Sequence, residues 1–133
     1  MSAERATYLD SSAIVKLVVG EPESSTLRRY LRRKAPLVTS AISRTEVARA
    51  LLPFGNEAVG RGTDALRRLD VIRINDRVLR TAGSMLPLEL QSLDAIHLAT
   101  ASMIGEDLSR VCTYDERMSG AAQALGLTVV APA

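Results

Sequence analysis

TYLDSSAIVKLVV, residues 7–19, passes from a short apolar run into an amphipathic stretch, and Asp10 lies at the junction. Residues 7–9 are apolar or β-branched on both sides, as expected of a strand that is covered by helices on both faces. The residues that follow predict a helix over 11–19 that ends at Gly20. A strand joined directly to a helix is the building unit of a parallel α/β sheet.

The same alternation continues along the whole chain. Further strands are predicted at residues 37–39, 71–74, 111–114 and 128–130. Helices are predicted from about residue 22, where Glu21 and Glu23 would lie in the first turn, and over 41–52, 56–69, 76–86, 92–104 and 116–125. Asp76 is the expected N-cap of the helix over 76–86. The pattern therefore predicts an α/β fold: a single domain over residues 1–133, built as an α/β/α sandwich around a central, mainly parallel sheet.

Composition and charge are those of an ordinary globular protein. The 133 residues are 47% apolar and 24% charged, with a net charge of +2. The single Cys112 excludes an internal disulfide, which fits a reducing compartment. The N-terminal residues 1–5 are polar, unlike a signal peptide, and the apolar stretch 13–19 is too short to span a bilayer. We therefore expect a cytoplasmic protein with no membrane partner.

Four acidic residues follow predicted strands or open the helix after one. Asp10 and Asp115 each come directly after a strand, Asp94 opens the helix over 92–104, and Glu46 lies in the helix after 37–39. Because ligands of parallel sheets bind outside the carboxyl ends of the strands, we expect these side chains to share one crevice. Carboxylates gathered there repel one another unless a cation intervenes, and hard oxygen ligands suit Mg²⁺ or Mn²⁺. The spacing thus indicates metal-assisted phosphodiester chemistry.

Helix capping is an alternative explanation for each acid taken alone. Asp10 and Asp115 occupy strand-to-helix junctions, where Asp is a favoured N-cap. Asp94 lies in a first helical turn, and Glu46 completes the capping-box pattern Ser43-x-x-Glu46. Capping does not explain why the two strand-terminal acids have similar neighbours.

Those neighbours are small hydroxyls. Ser12 follows Asp10, and Thr113 precedes Asp115 at the opposite end of the chain. A hydroxyl beside a metal-binding carboxylate orients that carboxylate or a water molecule, which favours a functional role for both acids.

The sequence lacks the residues that several other catalytic mechanisms require. The only histidine, His97, excludes a two-imidazole ribonuclease, and a lone helical histidine is more often packed or hydrogen-bonded than a metal ligand. The sequence contains no phosphate-binding Gly-x-x-x-x-Gly-Lys loop, no Gly-x-Ser-x-Gly elbow and no Cys/His cluster for zinc.

Four separated segments resemble the PIN-domain ribonucleases, and within them the VapC-type toxins of toxin–antitoxin modules. They are YLDSSAIVK at 8–16, Thr39-Ser40 with Glu46 beyond them, SLDAIHLA at 92–99 and TYDER at 113–117, in the expected order. The resemblance implies a PIN-like fold, homodimerisation, Mg²⁺ or Mn²⁺ as cofactor, an RNA substrate and inhibition by a VapB-type antitoxin.

The resemblance also assigns site residues. It implies catalytic roles for Asp10, Glu46, Asp94 and Asp115, metal binding by the three aspartates, and supporting hydroxyls at Ser12 and Thr113. The expected reaction is endonucleolytic hydrolysis of single-stranded or structured RNA by metal-activated water. The arginines closest in sequence to the acids are the candidates for steering RNA phosphates, and they are Arg44, Arg49 and Arg117.

Two other functions stay open at this point. A haloacid-dehalogenase-like phosphatase would use Asp10 as a nucleophile, although Ser12 replaces the second acid of that pattern. A non-catalytic nucleic-acid-binding module is the other, although four carboxylates facing phosphate oppose it.

Overall fold

Five parallel strands form the centre of the molecule. The computed structural model describes residues 5–133, so residues 1–4 of the polar N-terminal stretch lie outside the described residues. The strands are β1 Ala6–Leu9, β2 Leu37–Ser40, β3 Asp70–Ile72, β4 Leu108–Cys112 and β5 Val129–Val130. Their order in the sheet is β3-β2-β1-β4-β5, and every neighbouring pair is parallel.

Seven helices connect or follow the strands. They are α1 Ser11–Val18, α2 Ser24–Leu31, α3 Ile42–Leu51, α4 Asn56–Arg67, α5 Asp76–Gly83, α6 Ser92–Ile104 and α7 Glu116–Ala124, with 3₁₀ turns at Leu52–Phe54 and Gly105–Asp107. Within residues 5–133, none of these helices has the length and apolarity needed to cross a bilayer.

The central strand β1 is covered on both faces. Leu9 packs with α1 and α3 residues such as Ile14 and Leu51 in one apolar cluster. Tyr8 packs with Ala101 and other residues in a second cluster on the opposite face. Because neighbouring strand residues point to opposite faces, this double burial confirms the predicted α/β/α sandwich.

The strand order brings the predicted site residues to one edge of the sheet. β1 lies between β2 and β4, so the segments that follow these three strands are neighbours. Asp10 follows β1, α3 with Glu46 follows β2, and Asp115 follows β4. The crevice that forms at such a point is the usual ligand site of an open parallel sheet.

The predicted start of α5 at residue 76 agrees with the structure, but its predicted cap and its predicted end were wrong. Asn75 rather than Asp76 caps the helix, since its Oδ1 accepts a hydrogen bond of 2.9 Å from the Val78 backbone N–H. The helix ends at Gly83 instead of continuing to residue 86. An Asn-Asp pair offers two possible caps, and only tertiary packing selects between them.

The predicted role of Glu21 and Glu23 was also wrong. Helix α2 begins only at Ser24, after both acids. Their carboxylates lie 3.3 and 2.9 Å from the Lys16 Nζ, whose side chain is 11% exposed. A buried ammonium group requires paired charge more than a helix terminus does.

We expect the two glycines of α4 to respond oppositely to alanine. A Cβ at Gly62 would lie 2.5 Å from the buried Leu51 Cδ1, whereas a Cβ at the exposed Gly60 meets no atom within 4 Å. Gly60→Ala should therefore raise the free energy of unfolding by about 0.5–1 kcal/mol through helix propensity. Gly62→Ala should lower it, because overpacking costs about 1–3 kcal/mol.

Urea unfolding of the two variants beside the wild type measures both changes. Equal stabilisation by the two substitutions would contradict the close packing of α3 on α4.

Candidate active site

Asp10 is buried at the end of β1, with 3% of its surface exposed. Its Oδ1 accepts hydrogen bonds from the Ala13 backbone N–H at 3.1 Å and from the Ser12 hydroxyl at 2.6 Å. Its Oδ2 accepts a short hydrogen bond from the Thr113 hydroxyl. Asp10 therefore caps α1, as the alternative explanation requires, but capping uses only one of these three bonds.

The two hydroxyls join the loops that follow β1 and β4. The Ser12 Oγ accepts a 3.0 Å hydrogen bond from the Tyr114 backbone N–H, and the Thr113 Oγ1 accepts one of 3.0 Å from the Asp115 N–H. Each hydroxyl thus donates to Asp10 and accepts from the β4 loop. The position of Asp115 is therefore tied to that of Asp10.

Burial raises the pKa of Asp10, and the hydrogen bonds from Ser12, Thr113 and Ala13 oppose the rise because they favour the charged form. The carboxylate is thus stabilised by oriented donors but still carries a desolvation cost. A nearby cation would offset that cost.

Asp115 caps α7 with one of its carboxylate oxygens, and the other oxygen is not used by the cap. Its Oδ1 accepts hydrogen bonds from the backbone N–H groups of Arg117, at 2.9 Å, and Met118, at 3.3 Å. Among the described residues no donor reaches its Oδ2, and the side chain is half-buried. Asp115 therefore does cap a helix, but capping occupies only one of its two carboxylate oxygens.

Asp94 lies in the first turn of α6 and is half-buried. Within residues 5–133 its carboxylate accepts no hydrogen bond. Burial raises its pKa, and the charge of Asp115 raises it further, with smaller contributions from Asp10 and Glu46. The four acids therefore act on one another through a shared field.

The capping-box interpretation of Glu46 is wrong. Helix α3 starts after Ala41 without a side-chain cap, and the Ser43 Oγ bonds to the Thr39 Oγ1 at 2.7 Å instead. The Glu46 Oε1 lies 2.6 Å from the Nε2 of His97. Glu46 is thus held toward α6 and the crevice rather than toward its own helix start.

His97 is a hydrogen-bonded core residue, as lone helical histidines usually are. It is 1% exposed, and its Nδ1 lies 2.7 Å from the Tyr8 hydroxyl. With Nε2 on Glu46, both ring nitrogens are engaged, so neither is free for a metal. Sequence reasoning missed these contacts because the partners lie 89 and 51 residues away along the chain.

The three arginines suggested for RNA steering do not lie together. Arg49 is three residues after Glu46, which places both on one face of α3. Arg117 lines a groove of about 450 Å³ between α7 and the segment containing Pro87. Arg44 lines a different groove, of about 640 Å³, beside α4 and β3. Arg44 and Arg117 therefore lie in separate grooves, and Arg49 shares a helix face with Glu46.

The donor set of the site fits a hard divalent cation. The oxygens come from carboxylates and hydroxyls, and the repulsion on Asp94 is of the kind that a cation relieves. Within residues 5–133, no three His, Cys, Asp or Glu side chains are placed to hold one ion without moving. Binding would therefore require the unrestrained carboxylate of Asp94 to turn toward Asp10 and Asp115.

Comparison with known proteins identifies a matching family model and similar sequences. A family model described as PIN domain matches residues 7–124. Ribonuclease VapC46 of Mycobacterium tuberculosis is 60% identical over 127 residues, which cover 96% of this chain and 98% of that protein. Ribonuclease VapC35 of the same organism is 41% identical over 129 residues, covering 94% of this chain and 96% of the relative.

Solved structures share the fold at low identity. VapC20 of Mycobacterium tuberculosis, described as a Sarcin-Ricin loop cleaving toxin, superposes with a TM-score of 0.76 and 21% identity over 95% of this chain and 99% of that one. A toxin–antitoxin complex from Klebsiella pneumoniae superposes with a TM-score of 0.71 and 22% sequence identity, covering 96% of this chain and 98% of that one.

We expect Asp94→Asn to raise the free energy of unfolding at pH 7. Because the pKa of Asp94 is raised, the folded chain binds its proton more tightly than the unfolded chain, so the charged form costs stability above the ordinary pKa. The gain from the substitution should shrink as pH falls and vanish below about 3.9, the ordinary carboxyl pKa, where the group is protonated in both states. Urea unfolding of the variant and the wild type at a series of pH values measures this difference in the free energy of unfolding.

Asp107→Asn, at an exposed position, is the matched control. Mg²⁺ should stabilise the wild type more than Asp94→Asn, since ligand binding stabilises the state that binds it. An equal gain in the control, or a gain that grows on acidification, would contradict the shared field.

Proposed function

The chain belongs to the PIN-domain family and, within it, to the VapC ribonucleases, and on that premise we propose that it is an endoribonuclease toxin controlled by a VapB-type antitoxin. The observation that carries the proposal is the placement of four acids at the carboxyl edge of the sheet, where burial raises the pKa of Asp94 and the charges of Asp115, Asp10 and Glu46 raise it further. A site that gathers negative charge where it would meet a phosphodiester requires a cation.

We propose Asp10, Asp94 and Asp115 as the residues that hold Mg²⁺ or Mn²⁺. When bound, such an ion supplies Lewis acidity that activates water as a nucleophile and offsets the charge that develops around phosphorus. The hydroxyls of Ser12 and Thr113 keep the Asp10 carboxylate in one orientation, so the chain presents a preorganised ligand.

The remaining residues act on water and RNA. Among the described residues no donor reaches the Glu46 Oε2 while His97 holds Oε1, so we assign Glu46 to accept a hydrogen bond from the attacking water. Arg49, one turn after Glu46 on α3, and Arg117, two residues after Asp115, would bind the phosphates on either side of the scissile bond. Because water rather than the ribose 2′-OH attacks, cleavage leaves 5′-phosphate and 3′-hydroxyl ends.

A groove between α1, α2 and α4 fits the antitoxin. It has a volume of about 630 Å³ and an apolar floor that includes Leu17, Leu31 and Leu69. Its rim carries four arginines, which are Arg28, Arg32, Arg61 and Arg68. The only acid in its lining, Asp64, pairs with Arg67. We propose that an acidic, amphipathic segment of the antitoxin binds there.

Two further expectations complete the proposal. The buried, unpaired Cys112 fits a reducing cytoplasm. Exposed leucines such as Leu86, at 64%, and Leu88, at 87%, fit coverage in a homodimer.

Neither alternative function gains support. A haloacid-dehalogenase-like phosphatase would need a second acid two residues after its nucleophile, and Ser12 occupies that position here. A module that only bound nucleic acid would gain nothing from mutually repelling carboxylates.

We expect RNA cleavage to depend on both the metal and Asp10. Purified protein should cut single-stranded RNA with Mn²⁺ or Mg²⁺, should stop with EDTA, and should resume when the metal is restored. Asp10→Asn should reduce the rate by about a hundredfold or more, because it weakens the central ligand while preserving the cap on α1. Gel analysis with end-group mapping of the products measures rate and chemistry together.

Asp107→Asn is again the control and should cleave at the wild-type rate. Cleavage by Asp10→Asn at that rate would refute the site, and a 2′,3′-cyclic phosphate product would refute attack by water.

Charge reversal in the groove should weaken antitoxin binding without affecting cleavage. Arg61→Glu is expected to weaken the binding of a co-expressed VapB-type antitoxin by about 1–2 kcal/mol. The affinity of this variant should also depend less on the salt concentration than that of the wild type. Arg77→Glu, at an exposed position of α5 outside the groove, is the control. Calorimetry at two salt concentrations measures both, and equal losses would exclude this groove.

A further inference from the structure

A continuous hydrogen-bonded chain runs from the interior of the molecule to the crevice. The Tyr8 hydroxyl lies 2.7 Å from the His97 Nδ1, and the His97 Nε2 lies 2.6 Å from the Glu46 Oε1. Tyr8 is fully buried, His97 is 1% exposed, and the Glu46 side chain is 19% exposed. Only the last member of the chain therefore reaches solvent.

The positions of the protons follow from the chemistry of the three groups. An ionised carboxylate only accepts hydrogen bonds, so the His97 Nε2 carries the hydrogen that bonds to Glu46. A tyrosine phenol, whose ordinary pKa is about 10, keeps its proton near neutral pH and can donate it in a hydrogen bond. With the Tyr8 O–H assigned as the donor to Nδ1, His97 is the Nε2–H tautomer.

Packing alone does not account for this arrangement. Burying a phenol, an imidazole and most of a carboxylate costs desolvation free energy, which their hydrogen bonds roughly return. Apolar side chains of similar volume would fill the same space at no such cost. What these hydrogen bonds do achieve is a fixed orientation of Glu46, the only one of the three residues that faces the crevice.

We propose that Tyr8 and His97 are positioning residues for hydrolysis: the Tyr8 hydroxyl fixes the tautomer of His97, and the His97 Nε2–H holds the Glu46 Oε1 so that Oε2 faces the attacking water. This inference rests on the proposed function, because it assigns Glu46 a role in that reaction. It adds a tyrosine and a histidine, neither of which contacts the substrate.

A double-mutant cycle separates positioning from packing. Tyr8→Phe should lower kcat for RNA cleavage about tenfold with little change in KM, as expected when an outer hydrogen-bond partner is lost. In a Glu46→Gln background the same substitution should lower kcat by less than about twofold, since residues that act through one group are not additive. Tyr30→Phe, on α2 and outside the chain of hydrogen bonds, is the matched control and should cleave at the wild-type rate.

An equal loss from Tyr8→Phe in both backgrounds would overturn the inference. If the wild type cut no RNA with any divalent metal, the proposed function itself would fail instead.

Nitrogen-15 NMR tests the proton positions without any activity. The chain has one histidine, so the imidazole of the uniformly labelled protein gives a single set of ring signals. The wild type at pH 7.5 should show a protonated Nε2 and an unprotonated Nδ1. Tyr8→Phe should move the Nδ1 resonance toward that of a nitrogen without a hydrogen-bond donor, and Tyr30→Phe should leave it unchanged. A protonated Nδ1 in the wild type, or an Nδ1 resonance unmoved by Tyr8→Phe, would overturn the inference.

Discussion

The burial of the Asp10 carboxylate is the constraint on which the site depends. A charge with 3% exposure persists only where donors surround it, and here they come from Ser12, Ala13 and Thr113. Since Thr113 belongs to the segment after β4, stabilising Asp10 also joins the two loops that carry Asp10 and Asp115. The same bonds thus satisfy a buried charge and assemble the crevice.

The site is built from groups that serve structure and chemistry together. Asp10 and Asp115 cap helices with one oxygen and leave capacity on the other. Asp94 is the opposite case, because the described residues give it no hydrogen bond and its neighbours raise its pKa. Fixed carboxylates beside one unrestrained carboxylate form a site that a divalent cation can complete, at a cost in stability while the cation is away.

The fold was predictable because strand and helix periodicities alternate without interruption, and a strand followed at once by Asp10 and a helix indicates a parallel sheet. Long-range side-chain contacts were not predictable. Glu46 illustrates the limit: its local pattern favours a capping box, but a hydrogen bond to His97, 51 residues away, prevails. The prediction that Asp76 caps α5 failed in a similar way, since local propensity ranks Asn75 and Asp76 almost equally and the structure uses Asn75.

The central claim is that Asp10, Asp94 and Asp115 together hold a divalent cation. The most direct test is anomalous diffraction at the manganese edge from crystals of the protein grown with Mn²⁺. We expect an anomalous peak in bonding contact with the carboxylates of all three aspartates, and its loss in crystals of Asp10→Asn. Manganese bound elsewhere with this crevice empty, or a peak that persists without the Asp10 carboxylate, would contradict it.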